Sequence, residues 1–326
     1  MQSVKSFRDW KFIMLKNANI GNGRHAIKGR DVQFDFSDTN PHWLKDDPFS
    51  SHFVNSFHLV LPPGERYFCR VFAQALPLIT DNELREDVKG FIHQEAIHSR
   101  QHTSAQIYLE SNGYNYEHFN SKLDWVLEQV FGDSPFGMNY LKNRYTKDIW
   151  LTCRVGFIAT MEHFTGFLGQ WGLDNESWDK NGDATIVDLF KWHLAEEVEH
   201  RTVAFDLFEH LCTTKLGFYV SRQAQMVVVA PLFIHFIFDA FRVLVKQDED
   251  RSMQKLGAKH ILHLLAELEK VGKRTQNVPT FSFFVRETLR WVNPFFHPLH
   301  EGDTQQALDY LAQSPAAIAA ADSCMK

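Results

Sequence analysis

Two short stretches of this chain place the same donor pair at the same spacing. Glu95-Ala96-Ile97-His98 and Glu197-Val198-Glu199-His200 each set a carboxylate three residues before an imidazole. Each is preceded, about one helix earlier, by a further glutamate: Glu65 in the first half and Glu162 in the second. On a helix, residues three apart share a face, so each pair can aim at one point in space. Each of two metal ions then takes one terminal imidazole and one carboxylate, and two further carboxylates can bridge. Four carboxylates balance two divalent cations, which permits a burial that bare carboxylates would not tolerate. A single Glu-x-x-His is weak evidence, because both residues are common on surfaces. Two copies, each with a preceding glutamate at a similar gap, are far more specific.

The order Glu, Glu-x-x-His, Glu, Glu-x-x-His resembles the ligand set of the ferritin-like di-iron and di-manganese bundles. That resemblance implies an all-α fold with four helices around the centre. The sequence carries matching helical stretches. The first is predicted to begin after Pro62-Pro63 and stop near Pro77, the second to run from Thr80–Glu83 to Asn112-Gly113. A connection containing Gly132 and Pro135 leads to a third, from about Lys142 to Gly172, and a fourth spans about Asp183 to Cys212. The ligand faces are otherwise apolar: Cys69, Phe72 and Leu76 with Glu65; Val88, Phe91 and Ile92 with Glu95; Leu151, Val155 and Ile158 with Glu162; Ile186, Leu189, Phe190, Ala204 and Leu207 with Glu197. Further helices are expected over 218–246, 250–272, 280–291 and 304–313.

Outside the bundle the signals are weaker. Residues 1–60 lack helical periodicity and carry turn signals at Gly21-Asn22-Gly23 and Asn40-Pro41, with a strand-like alternation over Asp31–Phe36. The expected organisation is an irregular N-terminal arm (1–60), a ferritin-like bundle (61–215) and a C-terminal helical extension packed on it (216–326). Met226–Val245 is the most apolar run. Its uninterrupted part is shorter than the roughly 20 residues a bilayer needs, and Pro231, His235, Asp239 and Arg242 interrupt it. A buried helix is expected there rather than a transmembrane span.

Composition narrows the class. The 326 residues are 44% hydrophobic, 23% charged and 14% aromatic, with 29 Phe, enough for a thick core or an apolar cavity. A net charge of −6 with interspersed signs excludes a nucleic-acid surface. The four cysteines form no C-x-x-C pair and suggest neither a zinc ribbon nor a disulfide framework. No signal peptide is read at the N-terminus, so a cytoplasmic setting is expected. A homodimer is left open.

Two more histidines share the ligand faces: His193, four before Glu197, and His102, four after His98. The run His193-Leu-Ala-Glu-Glu197-Val-Glu-His200, with Glu65, Glu95, His98 and Glu162, resembles the di-iron arylamine N-oxygenases, which carry one extra histidine four residues ahead of the second Glu-x-x-His. The resemblance implies His193, rather than His102, as a seventh ligand. The closer resemblance is to a bacterial family described as predicted metal-dependent hydrolases. It rests on His93-Gln-Glu-Ala-Ile-His98, on Trp192-His-Leu-Ala-Glu-Glu-Val-Glu-His200, and on Ala204-Phe-Asp206, and covers roughly residues 60–210. Gln94, Glu196 and Asp206 are candidates to orient the ligating imidazoles, and Cys69 is either near the site or core packing. Phe281, Phe283, Phe284 and Trp291 are either core or the wall of a substrate pocket.

Carboxylate-rich sites with imidazole suit iron or manganese. The expected cofactor is therefore two Fe ions, with Mn as the alternative. The first functional expectation is a di-iron oxygenase or oxidase using dioxygen, an electron donor and a small organic substrate, an amine or an apolar molecule. The alternative is a two-metal hydrolase. Metal storage is disfavoured, because storage needs little beyond four helices and this chain continues for about a hundred residues more.

Overall fold

A computed structural model describes residues 25–143 and 145–324. The turn expected at Gly21–Gly23 and the N-terminal stretch read for a signal peptide lie outside these residues. The chain is all-α. Its helices are α1 (Pro48–Ala75), α2 (Asn82–Ser111), α3 (Glu117–Gln129), α4 (Lys147–Leu173), α5 (Glu176–Asn181), α6 (Ala184–His200), α7 (Val203–Leu211), α8 (Lys215–Val245), α9 (Arg251–Leu256), α10 (Ile261–Thr275), α11 (Phe281–Arg290), α12 (Thr304–Leu311) and α13 (Pro315–Cys324). Among the described residues there is no strand, only an isolated bridge between Leu44 and Gly182. The alternation over Asp31–Phe36 is therefore not a strand. That segment lies over the bundle, with Val32 fully buried and Phe34 against Trp192.

Helices α1, α2, α4 and α6 form the four-helix core, with α1 packed along α2 and α4 along α6. Aspartates start three of them, with Asp47 accepting from the Ser50 backbone N–H at 3.1 Å at the start of α1. Asp81 accepts from the backbone N–H groups of Glu83 and Leu84, and Asp183 from those of Thr185 and Ile186, satisfying N–H groups that have no partner within the helix.

The helix expected to begin after Pro62-Pro63 begins instead at Pro48 and runs through both prolines. The boundary drawn between arm and bundle thus falls inside α1. An internal proline removes an N–H and orphans the carbonyl four residues earlier. At Pro62 that carbonyl belongs to His58, and the Gln106 side chain on α2 donates to it at 2.7 Å. The neighbouring helix supplies what the proline lacks.

Other departures have local causes. The connection after Gly113 contains α3, which buries Phe119, Leu123 and Leu127. The fourth stretch breaks at Arg201 and Thr202, giving α6 and α7. There the Arg201 side chain binds the Val198 carbonyl, the Pro298 carbonyl at 3.0 Å and the Thr304 hydroxyl at 2.9 Å. The expected helix over 250–272 is two, α9 and α10, and Pro315 opens the unforeseen α13. Helix α8, expected over 218–246, is found at Lys215–Val245. Its 31 residues suffice by length and composition to cross a bilayer; Phe233, Phe238 and Phe241 pack against Phe53 and Phe57 of α1.

Candidate metal centre

The structure brings Glu65 (α1), Glu95 and His98 (α2), Glu162 (α4) and His193, Glu197 and His200 (α6) into one cluster. Each is at most 3% exposed. Their donor atoms fall into overlapping groups, each narrow enough to hold one cation: Glu65, Glu95 and His98; His98, His193 and Glu197; and Glu95, Glu162, Glu197 and His200. Two positions emerge. Around the first, His98 Nδ1 lies 3.7 Å from Glu95 Oε1 and 3.5 Å from Glu197 Oε1. Around the second, His200 Nε2 lies 3.4 Å from Glu95 Oε1 and 3.3 Å from Glu162 Oε2 and Glu197 Oε2. Glu95 and Glu197 touch both positions, while Glu65 belongs to the first and Glu162 to the second.

The second nitrogen of each imidazole is held from behind. His98 Nε2 lies 2.9 Å from Glu196 Oε2, which leaves Nδ1 toward the cluster. His200 Nδ1 lies 2.9 Å from Gln94 Oε1, which leaves Nε2 toward it. The support is crosswise: a residue of α6 holds the imidazole of α2, and a residue of α2 holds that of α6. Arg30, from the arm, donates to Glu196 at 2.7 Å and to Glu199 at 2.9 Å. The Gln94 amide donates to Glu199 at 2.6 Å and to the Lys28 carbonyl at 3.1 Å; His25 also meets Glu199. Arg30, His25 and Glu199 were not singled out from sequence, since the arm reaches them across more than 160 residues and no local pattern announces that.

His193 faces the cluster, and His102, on the far side of His193, joins Glu65 and His193 in a further group narrow enough for one cation. His193 Nε2 is 2.9 Å from Glu197 Oε1, and its Nδ1 meets His102 Nε2 at 2.5 Å. His102 Nδ1 in turn meets His58 Nδ1 at 2.8 Å. His58, also unanticipated, lies seven residues before Glu65 on the same helix face, a spacing that could have flagged it. Asp206 does not reach the imidazoles; it pairs with His297 at 3.0 Å. Cys69 bonds the Ile92 carbonyl at 3.4 Å, and burial with Glu95 and Glu65 nearby pushes its thiol up to about 12.

The electrostatics are those of a cluster short of positive charge. Burial and then Glu95 drive the Glu65 carboxyl well above its ordinary range. Burial and Glu197 raise Glu95 and push Glu162 up to about 8. Burial acts on Glu197 in the same sense, but His200, His193 and His98 outweigh it and hold that carboxyl well below its ordinary range. Burial disfavours imidazolium, yet the carboxylates around His98 and His200 prevail and raise both. Burial and His98 bring His193 down to about 4.

Both oxygens of Glu65, both of Glu162, Oε1 of Glu95 and Nδ1 of His98 are buried without a hydrogen-bond partner. Buried polar atoms are normally paired, and leaving one unpaired costs about 1–3 kcal/mol. Six such atoms lining the two positions fit cations as their missing partners. The donor set, carboxylate and imidazole without thiolate, suits hard or borderline divalent ions.

A small apolar cavity of about 50 Å³ opens onto the cluster. Phe53, Phe57, Leu61, Leu168 and Phe190 line it, and His193 and Glu197 form its floor. Trp171 lines both this cavity and a larger cleft of about 1130 Å³ bordered by Lys180, Lys273, Arg286 and Arg290. Of the aromatics considered as pocket walls, Phe283 borders the cleft, Phe284 and Trp291 are core, and none lines the small cavity.

No curated protein and no solved structure matches the chain. A family model matches residues 28–302, a span that takes in part of the arm, all seven cluster residues and most of the C-terminal helices. The chain therefore belongs to the family described as predicted metal-dependent hydrolases.

Proposed function

We propose that the chain is a metal-dependent enzyme with a two-metal centre held by Glu65, Glu95, His98, Glu162, His193, Glu197 and His200. The observation that carries this reading is the convergence of six unpartnered, fully buried polar atoms on one cluster. Glu95 and Glu197 would serve both ions, with Glu65, His98 and His193 holding one and Glu162 and His200 the other. The membership just described puts hydrolysis first, reversing the order suggested by the ligand pattern. Two bound divalent cations would activate a water as nucleophile and polarise the bond it attacks.

The chain's own residues set the rest. Glu196 and Gln94 fix which imidazole nitrogen faces the metals. The apolar cavity takes a short hydrocarbon group and keeps bulk water from it, while the polar remainder of a substrate lies past Trp171 in the cleft. The cavity is far below the roughly 300–1,000 Å³ of drug-sized pockets, so only a few non-hydrogen atoms fit without side-chain movement.

A second reading, oxygen activation at di-iron with an external electron donor, is favoured by the same cavity. A dry apolar wall protects a reactive intermediate from water, which a hydrolase does not need. One experiment separates the two. Manganese- or zinc-loaded protein is assayed against short-chain acyl and phosphoryl esters, and anaerobically reduced iron-loaded protein is mixed with oxygen in stopped flow. Ester cleavage with no oxygen consumption supports hydrolysis. Oxygen consumption with a transient absorption band and no ester cleavage overturns it. A metal content that does not fall in Glu197→Ala removes the two-metal reading itself.

A further inference from the structure

The geometry points to a further, mononuclear metal site, built from His42, His52 and Asp248 and sharing no residue with the two-metal cluster. Its donor atoms are His42 Nε2, His52 Nε2 and Asp248 Oδ2, which converge closely enough to hold one cation. His42 Nε2 lies 2.7 Å from Asp248 Oδ2 and 3.2 Å from His52 Nε2, and His52 Nε2 also meets Asp248 Oδ2. His52 is fully buried on α1 and Asp248 is nearly so, just beyond α8. The His42 side chain is 37% exposed and gives the site a face to solvent.

Hydrogen bonding alone accounts for this arrangement poorly. If both imidazoles donate from Nε2 to the carboxylate, neither Nε2 has a lone pair left for the other, and two donors abut at 3.2 Å. If one Nε2 is bare, its lone pair faces a carboxylate oxygen. A cation in place of the hydrogens removes the conflict, since all three atoms then point lone pairs at positive charge. With bonds of about 2.0–2.2 Å, typical of zinc to imidazole and carboxylate, the two nitrogens subtend roughly a right angle at the ion. The donors occupy one side and leave the other open.

The carboxylate is pre-set for this role. Asp248 Oδ1 accepts the Asp250 backbone N–H at 2.7 Å, which turns Oδ2 inward. The Asn40 side chain accepts the His42 backbone N–H at 2.8 Å and fixes the turn that presents that imidazole. Two imidazoles and one carboxylate with an open position form the donor set of catalytic zinc sites. The ligand class is a zinc-like divalent cation, which would tie the arm and the start of α1 to the segment after α8.

This inference does not depend on the two-metal reading, and the test separates them. Metal-free protein is reloaded with excess Zn²⁺, freed of unbound metal by gel filtration, and counted by elemental analysis beside His42→Ala. The expected result is one fewer zinc per chain in the variant, whatever the parent total. A total that is too low with that difference intact would count against the two-metal centre alone. Equal totals in parent and variant overturn the new site. Asp248→Asn, which keeps the side-chain shape, repeats the comparison if His42→Ala fails to fold by circular dichroism. Co²⁺ loading adds a second readout: the d–d bands of the parent lose one component in either variant if the site exists, and are unchanged if it does not.

Discussion

Replacing Glu196 with glutamine tests the support behind the metal centre. Glu196 uses one oxygen for His98 Nε2 at 2.9 Å and the other for Arg30 at 2.7 Å. Glutamine keeps the shape but offers one acceptor and one NH₂. If its oxygen serves His98, its NH₂ opposes the Arg30 guanidinium; if its oxygen serves Arg30, two donors meet at His98. In either orientation one charge-assisted hydrogen bond is lost, worth about 1.5–3 kcal/mol. That corresponds to about 10–100-fold weaker metal binding, the range found when partners of ligating histidines are removed. The loss should fall mainly on the position that contains His98. Gln94→Leu should weaken the other, because Gln94 holds His200. Competition with a chromophoric chelator at fixed pH gives the stepwise constants, and circular dichroism confirms that both variants are folded. Unchanged constants in folded Glu196→Gln would refute the reasoning.

Three further outcomes follow from the same geometry. Gln106→Leu orphans the His58 carbonyl and should cost about 1–3 kcal/mol, seen as a lowered Tm; Pro62→Ala in that background restores a backbone N–H there, and a double variant no more stable than Gln106→Leu would reject the account. Metal uptake should release protons and tighten as pH rises, since Glu162, held at about 8, and the raised Glu65, Glu95, His98 and His200 must all give up protons to bind. The sign follows for the metal-free protein: a glutamate whose folded value is raised gives stability that is complete below about 4.5 and is lost as pH climbs toward 8, so the share of that fall due to Glu162 should be missing when Tm is followed against pH in Glu162→Gln. His193→Ala should change the spectrum of the metal-loaded protein more than His102→Ala, because His193 alone of the two approaches Glu197; the reverse ranking would make His102 the inner residue.

What the sequence made legible is what helical periodicity governs. Six of the cluster residues could be picked out because Glu-x-x-His fixes a helix face and because the pattern occurs twice; His193 was singled out over His102 by the resemblance to the N-oxygenases. Which nitrogen of each imidazole faces inward could not be read, since it depends on Gln94 and Glu196 crossing to the opposite helix. Asp206 was within reach by count but turns outward to His297. The start of α1 was misplaced because two adjacent prolines ordinarily mark a helix boundary, and the compensating Gln106 lies on another helix. The site at His42, His52 and Asp248 joins segments about two hundred residues apart, so no spacing rule reaches it.

The arm over the centre also has a consequence in time. Arg30 and the Lys28 carbonyl are among the first described parts of the chain to be synthesised, yet Glu196 and Glu199, the partners of Arg30, come more than 160 residues later. On a ribosome working from the N-terminus, the arm must wait without its ion pairs until α6 has emerged. Throughout that interval His98 lacks the Glu196 carboxylate that later stands behind it. Closure by Arg30 is thus a late act of assembly for one of the earliest segments made.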